Sequence, residues 1–209
     1  MANLSAHGVN LVLDVGANSG QFGGFIRGAG FRGRIVSFEP LSEARKLLAA
    51  EARGDPLWEV APQMALGSED GEIEIFVAEN SFSSSVLPML RAHAFAAPGS
   101  AYVGKESVPL RRLDAVGSVY LSPDSVLFLK IDTQGYEDRV MQGAPDLLRR
   151  AVGLEIEMSL VPLYEGQRMY TDLDAQLRTM GFALWSVAPE FVEPSSGRIL
   201  QVNATYFRS

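Results

Sequence analysis

The chain has 209 residues, of which 47% are hydrophobic and 21% are charged, a composition that suits one sizeable hydrophobic core and excludes a disordered or fibrous chain. The formal net charge of −7 disfavours a nucleic-acid substrate, because such binding takes most of its affinity from Lys and Arg side chains. Cysteine is absent, which excludes disulfides, thiolate zinc sites and every mechanism that needs a cysteine nucleophile.

Apolar runs alternate with amphipathic stretches along the chain, which predicts an α/β fold with a mostly parallel sheet and one domain over residues 1–209. The predicted strands are residues 11–15, 35–38, 58–66, 72–77, 126–131, 152–158, 182–187 and 202–207. We expect the strands at 58–66 and 72–77 to form an edge hairpin and the last two strands to form an antiparallel pair.

Helices are predicted between these strands from capping and stop signals. One helix spans residues 20–27, the next has Ser42 as its N-cap, and a third ends near Gly143. Thr171 with Asp174 suggests a capping box for a helix that Gly181 closes. Residues 80–104 are rich in Ser, Ala and Pro, so we predict a lid or acceptor-binding excursion there, partly helical at residues 88–95.

The first predicted strand runs directly into a glycine-bearing turn, LVLDVGANSG. A dinucleotide fingerprint needs a glycine where Asn18 stands, and the Lys-Ser/Thr ending of a P-loop is absent. The spacing D-x-G-x-x-x-G instead suits S-adenosylmethionine, and the alternative is an ordinary tight turn between a strand and a helix. The residues of this turn predicted to contact the cofactor are Asp14, Gly16, Ala17, Asn18 and Gly20.

Glu39 ends the second predicted strand in the segment SFEP. A carboxylate at that position can accept both hydroxyl protons of a ribose, although a solvated strand end is the alternative. The remaining predicted cofactor contacts are Pro40, Ala65, Leu66, Asp132 and Gln134.

Several of these segments resemble the FkbM methyltransferase family over nearly the full chain. The resemblance rests on VLDVGANSGQF and SFEP, on LKIDTQGYE at residues 129–137, and on EMSLVPLYEG at residues 157–166. It implies a class I methyltransferase fold, a Rossmann-like three-layer sandwich, with S-adenosylmethionine as the methyl donor. It also implies O-methylation of a hydroxyl on a sugar or another natural product.

Three side chains are candidates for catalysis: Asp132, Glu157 and His93. Asp132 and Glu157 end neighbouring predicted strands, so their carboxylates are expected to converge, with Gln134 and Glu137 close by. Capping of the next helix is the alternative role for Asp132. A neutral imidazole at His93 can take a proton from an alcohol, although a histidine without a catalytic role is the alternative.

Hard cations favour carboxylate oxygens, so a divalent metal is possible at these acids but is not favoured. No apolar run reaches the roughly 20 residues that span a bilayer, so we expect a cytoplasmic protein without membrane or nucleic-acid partners. The expected partner is a small-molecule or glycosylated acceptor. Rival functions are an NAD-linked oxidoreductase on a similar sheet and a non-catalytic binding module, and the oligomeric state stays open.

Overall fold

The computed structural model describes residues 2–208, with side chains from residue 4 onward. Its strands are β1 Leu11–Val15, β2 Arg34–Phe38, β3 Trp58–Val60, β4 Ala65–Gly67, β5 Gly71–Ala78, β6 Tyr102–Arg112, β7 Leu127–Ile131, β8 Gly153–Ser159, β9 Phe182–Val192 and β10 Ile199–Arg208. Its α-helices are α1 Ala2–Ala6, α2 Gln21–Gly28, α3 Ser42–Glu51, α4 Arg91–Ala96, α5 Leu113–Gly117, α6 Glu137–Gln142, α7 Pro145–Arg150 and α8 Tyr170–Thr179. Short 3-10 helices span Pro98–Ser100 and Ser118–Tyr120.

The main sheet has seven strands in the order β3-β2-β1-β7-β8-β10-β9. Strands β3, β2, β1, β7 and β8 pair in parallel, whereas β10 is antiparallel to both β8 and β9. This confirms the predicted α/β class, the mostly parallel sheet and the antiparallel pair at the C-terminal end of the chain.

Helices cover both faces of this sheet because side chains alternate along its buried strands. On β1, Leu11, Leu13 and Val15 join a cluster that includes residues of α5 to α8. Val12 points the other way and packs with Leu4, Ile26 and Leu48 of α1, α2 and α3. The result is a three-layer sandwich in which the strand ends lie between two helical layers.

Residues 58–66 do not form one strand, and that prediction was wrong. The Ala61 N–H still donates to Ser37 O at 3.0 Å, but the next residue is Pro62, which has no N–H to continue the ladder. The chain leaves the main sheet there, and β4 joins a separate three-stranded sheet of order β4-β6-β5. The predicted edge hairpin was also wrong, because β5 pairs with β6, a strand that the sequence did not predict.

Two predicted helix caps were wrong. Leu41 is the N-cap of α3, and Ser42 is already helical, with its N–H and hydroxyl both directed to the Glu106 carboxylate. Helix α8 begins after Met169 with no side-chain cap, and Asp174 instead accepts hydrogen bonds from Arg178 and Tyr206. The helix stops were correct, because α6 ends at Gln142 with Gly143 as its C-cap, and α8 ends two residues before Gly181.

The excursion after β5 is docked against the body of the protein and ends earlier than predicted. Helix α4 confirms its helical part, but β6 already begins at Tyr102. The excursion is held by hydrogen bonds from Leu90 N to Leu163 O and from Ser85 Oγ to Gln134 O. Among residues 2–208, no helix is long and apolar enough to cross a membrane.

Candidate functional site

The parallel register sets the site residues in one row across the sheet. Val15 pairs with Phe38 on one side and with Ile131 on the other, and Ile131 pairs with Ile156. Strands β2, β1 and β7 therefore end level with one another, next to the middle of β8, which continues to Ser159. The residues that follow in this row are Glu39, Gly16, Asp132 and Glu157.

Gly16 is required for the close approach of the first two loops. Its φ is +77°, in the left-handed region that favours glycine. A Cβ atom built at Gly16 stands only 1.7 Å from Asp132 O, so no side chain fits between the loops. Gly20, with φ +94°, likewise leaves its space to Leu48 and Trp58. These glycines allow close packing of the protein itself, and Gly16 also lines the cavity described next.

A cavity of about 310 Å³ lies above this row, and we call it the main cavity. Its apolar walls include Phe38, Leu41, Met64, Ala65, Leu66 and Ile75. Its polar walls include Asn18, Glu39, Ser83, Ser85, Asp132, Gln134, Glu157, Glu190 and Gln201. The excursion forms one side of the cavity through residues 80–86, His93 and Ala97.

Glu39 forms one end of the row and is almost completely buried. Its Oε2 accepts the Asn18 N–H and its Oε1 accepts the Leu41 N–H, both at 2.8 Å. Burial raises the pKa of Glu39 to about 7, although these two backbone hydrogen bonds oppose the rise. A carboxylate has about four acceptor sites, so two remain for a ligand such as a ribose diol.

At the other end of the row, Gln134 joins the carboxylate of Asp132, directly after β7, to that of Glu157, which lies within β8 rather than at its predicted end. Its Nε2 donates to Asp132 Oδ1 at 3.0 Å and to Glu157 Oε2 at 2.7 Å. Its Oε1 accepts the Tyr164 hydroxyl at 2.8 Å, which fixes the orientation of the amide. Gln201 Nε2 also donates to Glu157 Oε2 at 2.7 Å. Asp132 and Glu157 therefore share one network, as their strand positions predicted.

The surroundings of Glu157 favour its protonated form. The side chain is only 3% exposed. Burial raises its pKa well above the usual range, and the nearby charges of Asp132 and Glu137 raise it further. A carboxyl group with such a raised pKa can hold or accept a proton near neutral pH.

Lys130 supplies the positive charge closest to these acids. Its Nζ lies 3.2 Å from Asp132 Oδ2 and 3.2 Å from Asn203 Oδ1. Burial lowers the pKa of Lys130, but the carboxylates around it, led by Asp132 and Glu155, outweigh burial and leave that pKa raised. Lys130 is therefore charged and offsets part of the negative charge of the acids.

Asp132 does not cap the next helix: the N-cap of α6 is Tyr136, without a side-chain hydrogen bond, and the loop before α6 is held by Glu137. Glu137 Oε1 accepts the N–H groups of Thr133, at 2.9 Å, and of Gly135, at 3.1 Å. The hydrogen bonds of Asp132 come from the side chains of Lys130 and Gln134, and its carboxylate lines the cavity. Asp132 is therefore available to a ligand, whereas Glu137 holds the loop.

His93 is buried against the cavity and is only 2% exposed. Its Nε2 lies 2.9 Å from Ser83 Oγ, and its Nδ1 has no hydrogen-bond partner in the described residues. Burial lowers the pKa of His93 to about 4, so the imidazole is neutral at physiological pH. The rings of Tyr164 and Phe191 lie 5.0 and 5.1 Å away.

Three predicted cofactor residues stand behind the wall of the main cavity. Asp14 lies within β1, is 1% exposed and accepts the Ser37 hydroxyl at 3.0 Å. Burial raises its pKa to about 7. Ala17 and Gly20 also lie off the wall, whereas Pro40 is on it. Direct contact of these three residues with a ligand stays a prediction.

Sequence reasoning missed several residues of the cavity wall: Tyr136, Glu190, Phe191 and Gln201. Glu190 and Phe191 stand in a strand that was predicted to end at residue 187, so nothing placed them near the site. The Ser83–Ser85 run lies within the excursion predicted at residues 80–104. The structure brings it to the cavity through the hydrogen bond of Ser85 with Gln134.

The residues present fit S-adenosylmethionine. Glu39 has free acceptor sites for the ribose, and the apolar wall formed by Leu41, Met64 and Leu66 suits an adenine ring. At the other end of the row, Asp132 offers a carboxylate to the positively charged part of the cofactor.

A family model described as the methyltransferase FkbM domain matches residues 14–184, which is most of the chain. The chain belongs to the FkbM methyltransferase family. No curated protein sequence matches it.

Solved structures show the same fold as this FkbM-family chain. TehB from Haemophilus influenzae superposes with a TM-score of 0.53 and 8% identity, covering 100% of this chain and 60% of TehB. A putative S-adenosylmethionine-dependent methyltransferase from Listeria monocytogenes superposes with a TM-score of 0.50 and 10% identity, covering 96% of this chain and 91% of that protein. An rRNA methylase from Streptococcus thermophilus superposes with a TM-score of 0.50 and 8% identity, and the match covers 96% of this chain and 88% of the methylase. The FkbM-family chain therefore has the fold of S-adenosylmethionine-dependent methyltransferases.

Proposed function

We propose that the protein transfers the methyl group of S-adenosylmethionine to a hydroxyl oxygen of a sugar or another small natural product. The observation that carries this proposal is the network of Asp132, Gln134 and Glu157 at one end of a cavity whose other end holds Glu39. The cofactor supplies an activated methyl group, so the protein's task is to position the acceptor and accept its proton.

A base is needed because an alcohol is a weak nucleophile until it loses its proton. General-base catalysis typically contributes about 10² to 10⁴ in rate. Asp132 and Glu157 both line the cavity, and whichever of the two is ionised can accept the proton directly. We assign proton acceptance to this pair, with Gln134 and Lys130 as positioning residues.

His93 is the third candidate, and its surroundings support a different role. Its pKa of about 4 makes it a weak base, and Nδ1 is enclosed within the protein. In our proposal His93 holds the hydroxyl of Ser83, a residue that lines the cavity. His93 stays a catalytic candidate only if both carboxylates prove dispensable.

The charge of the cavity supports a small acceptor over a nucleic acid. Among the described residues that line it, four carry carboxylates and none is Lys or Arg. Phosphate groups bind through Lys, Arg or clustered N–H donors, so a polyanion has little to recognise there. Within residues 2–208, no group of three or more His, Asp or Glu side chains is arranged so that it could hold a metal ion.

Two measurements test the proposal. S-adenosylhomocysteine should raise the melting temperature of the protein, because a ligand that binds the folded state stabilises it by mass action, and NAD should not. Stabilisation by NAD without any by S-adenosylhomocysteine contradicts the methyltransferase assignment for this site.

The second measurement identifies the acceptor atom. The protein is incubated with ¹³C-methyl-labelled S-adenosylmethionine and a panel of hydroxylated and aminated acceptors, and the product is examined by NMR. A labelled methoxy group supports oxygen as the nucleophile, whereas a labelled N-methyl group overturns it. Cofactor binding without transfer to any acceptor favours the non-catalytic binding module.

A further inference from the structure

A second cavity, of about 150 Å³, lies on the sheet face that carries helices α1 and α2, and we call it the outer cavity. Part of its wall is aromatic, with Phe22, Phe25, Phe128 and Phe207. The polar part consists of Glu155, Ser186, Asn203 and Thr205. Aromatic faces beside hydroxyl, amide and carboxylate groups match the mixed surface of a sugar ring, which has apolar C–H faces and a polar rim.

The outer cavity adjoins the main cavity along strand β10. Side chains two residues apart on a strand share a face, so Gln201, Asn203 and Thr205 point the same way from β10. Gln201 lines the main cavity, whereas Asn203 and Thr205 line the outer cavity. At roughly 3.3 Å per residue, this row is about 13 Å long. Asn203 Nδ2 also donates to Oε2 of Glu190, a main-cavity residue, at 2.7 Å.

The charges along this row select against anions. Neither cavity is lined by Lys or Arg among the described residues, and Glu155, Glu157 and Glu190 lie along the row. The nearby cation, Lys130, is only 4% exposed and is paired with Asp132. A phosphate or carboxylate here meets repulsion, whereas neutral hydroxyls can donate hydrogen bonds to the carboxylates.

We propose that the outer cavity binds a second, uncharged sugar unit of a glycosylated acceptor whose reacting hydroxyl lies in the main cavity. This inference rests on the proposed function and narrows its substrate class to neutral acceptors with at least two linked units. The outer unit packs on the aromatic wall and donates hydroxyl hydrogen bonds to Glu155 and Asn203.

The test measures sugar binding to the protein saturated with S-adenosylhomocysteine by ligand-observed NMR. The probes are methyl glucoside, the neutral disaccharides cellobiose, maltose and lactose, and glucose 6-phosphate as the anion. At least one disaccharide should bind about tenfold more tightly than methyl glucoside, and glucose 6-phosphate should bind more weakly than methyl glucoside. The proposal is overturned if no disaccharide binds more tightly than methyl glucoside, or if glucose 6-phosphate binds more tightly than methyl glucoside.

A pair of variants locates the second unit. Ala188 lines the outer cavity, and its neighbour Val187 is exposed on the opposite face of the same strand. Ala188→Phe fills the cavity and should reduce disaccharide affinity to that of methyl glucoside, whereas Val187→Phe should leave it unchanged. Equal effects of the two variants refute the location.

The affinity for S-adenosylhomocysteine separates the two proposals. It should stay unchanged in both variants, because neither residue lines the main cavity. If the unmodified protein does not bind S-adenosylhomocysteine, the proposed function fails. Normal binding without a disaccharide preference overturns only the second sugar site.

Discussion

Substitution of Glu39 by Gln tests the cofactor end of the cavity. Glu39 holds the turn after β1 through Asn18 N–H and the start of α3 through Leu41 N–H, and its remaining acceptor sites face the cavity. Gln keeps one acceptor oxygen and replaces the other with an NH₂ group. That group faces a backbone N–H or a ribose hydroxyl where an acceptor is needed.

The expected loss follows from the hydrogen bonds that disappear. A hydrogen bond to a charged group contributes about 1.5 to 3 kcal/mol, so loss of one ribose contact should weaken S-adenosylhomocysteine binding about 10- to 150-fold. The apo protein should also lose about 1 to 3 kcal/mol of stability, because one backbone N–H is left without its partner.

Glu106→Gln is the matched control. The Glu106 carboxylate also accepts a backbone N–H, that of Ser42, but it does not line the cavity. Isothermal titration calorimetry should show weakened S-adenosylhomocysteine binding in Glu39→Gln and unchanged binding in Glu106→Gln. Chemical denaturation measures the stability of both variants. If the folded Glu39→Gln protein binds S-adenosylhomocysteine as tightly as the unmodified protein, the assigned role of Glu39 is wrong.

Three further predictions concern catalysis, packing and pH. Asp132→Asn should lower the rate of methyl transfer about 100-fold or more in single-turnover assays with an identified acceptor and saturating S-adenosylmethionine, and a near-normal rate removes Asp132 from the catalytic residues. Gly16→Ala should lower the free energy of unfolding, measured in urea, by about 3 kcal/mol or more, because the added Cβ meets Asp132 O. Gly54 also has a positive φ but faces open space, so Gly54→Ala should lower that free energy by only about 1 kcal/mol. Burial raises the pKa of Asp14 from 3.8 to about 7, so the folded state retains a proton that the unfolded state loses above about pH 4. Stability should therefore fall as pH rises from about 4 to 7, and Asp14→Asn should make that fall less steep, with the remainder due to other buried acids such as Glu39; an equal slope in both proteins contradicts the effect of burial on Asp14.

The sequence by itself determined the parallel core strands and the loops that follow them. The buried strand β1 and its glycine turn form a local pattern in which the apolar run, the turn and the helix are consecutive. Glu39 and Asp132 could be predicted for the same reason, because each directly follows a buried strand. Their convergence then follows from a general property of parallel sheets, in which the carboxyl ends of the strands meet at one edge.

Only the tertiary structure decided which polar groups meet. The hydrogen bonds of Glu157 with Gln134 and Gln201 join residues 23 and 44 positions apart, and no local pattern carries that information. The same holds for His93, whose place in the sequence fits an exposed lid but whose imidazole is buried between Ser83, Tyr164 and Phe191.

The three-stranded second sheet could not be predicted from local sequence patterns. Strand β6 is largely exposed and carries charged and small residues, so its strand conformation depends on pairing with β4 and β5 rather than on its own propensity. The division of residues 58–66 into β3 and β4 has a local cause in Pro62, but the partner of β4 is fixed only by β6. Local apolar periodicity therefore determined the core and the loops of the site, whereas long-range pairing determined the walls of the cavity and its hydrogen-bond network.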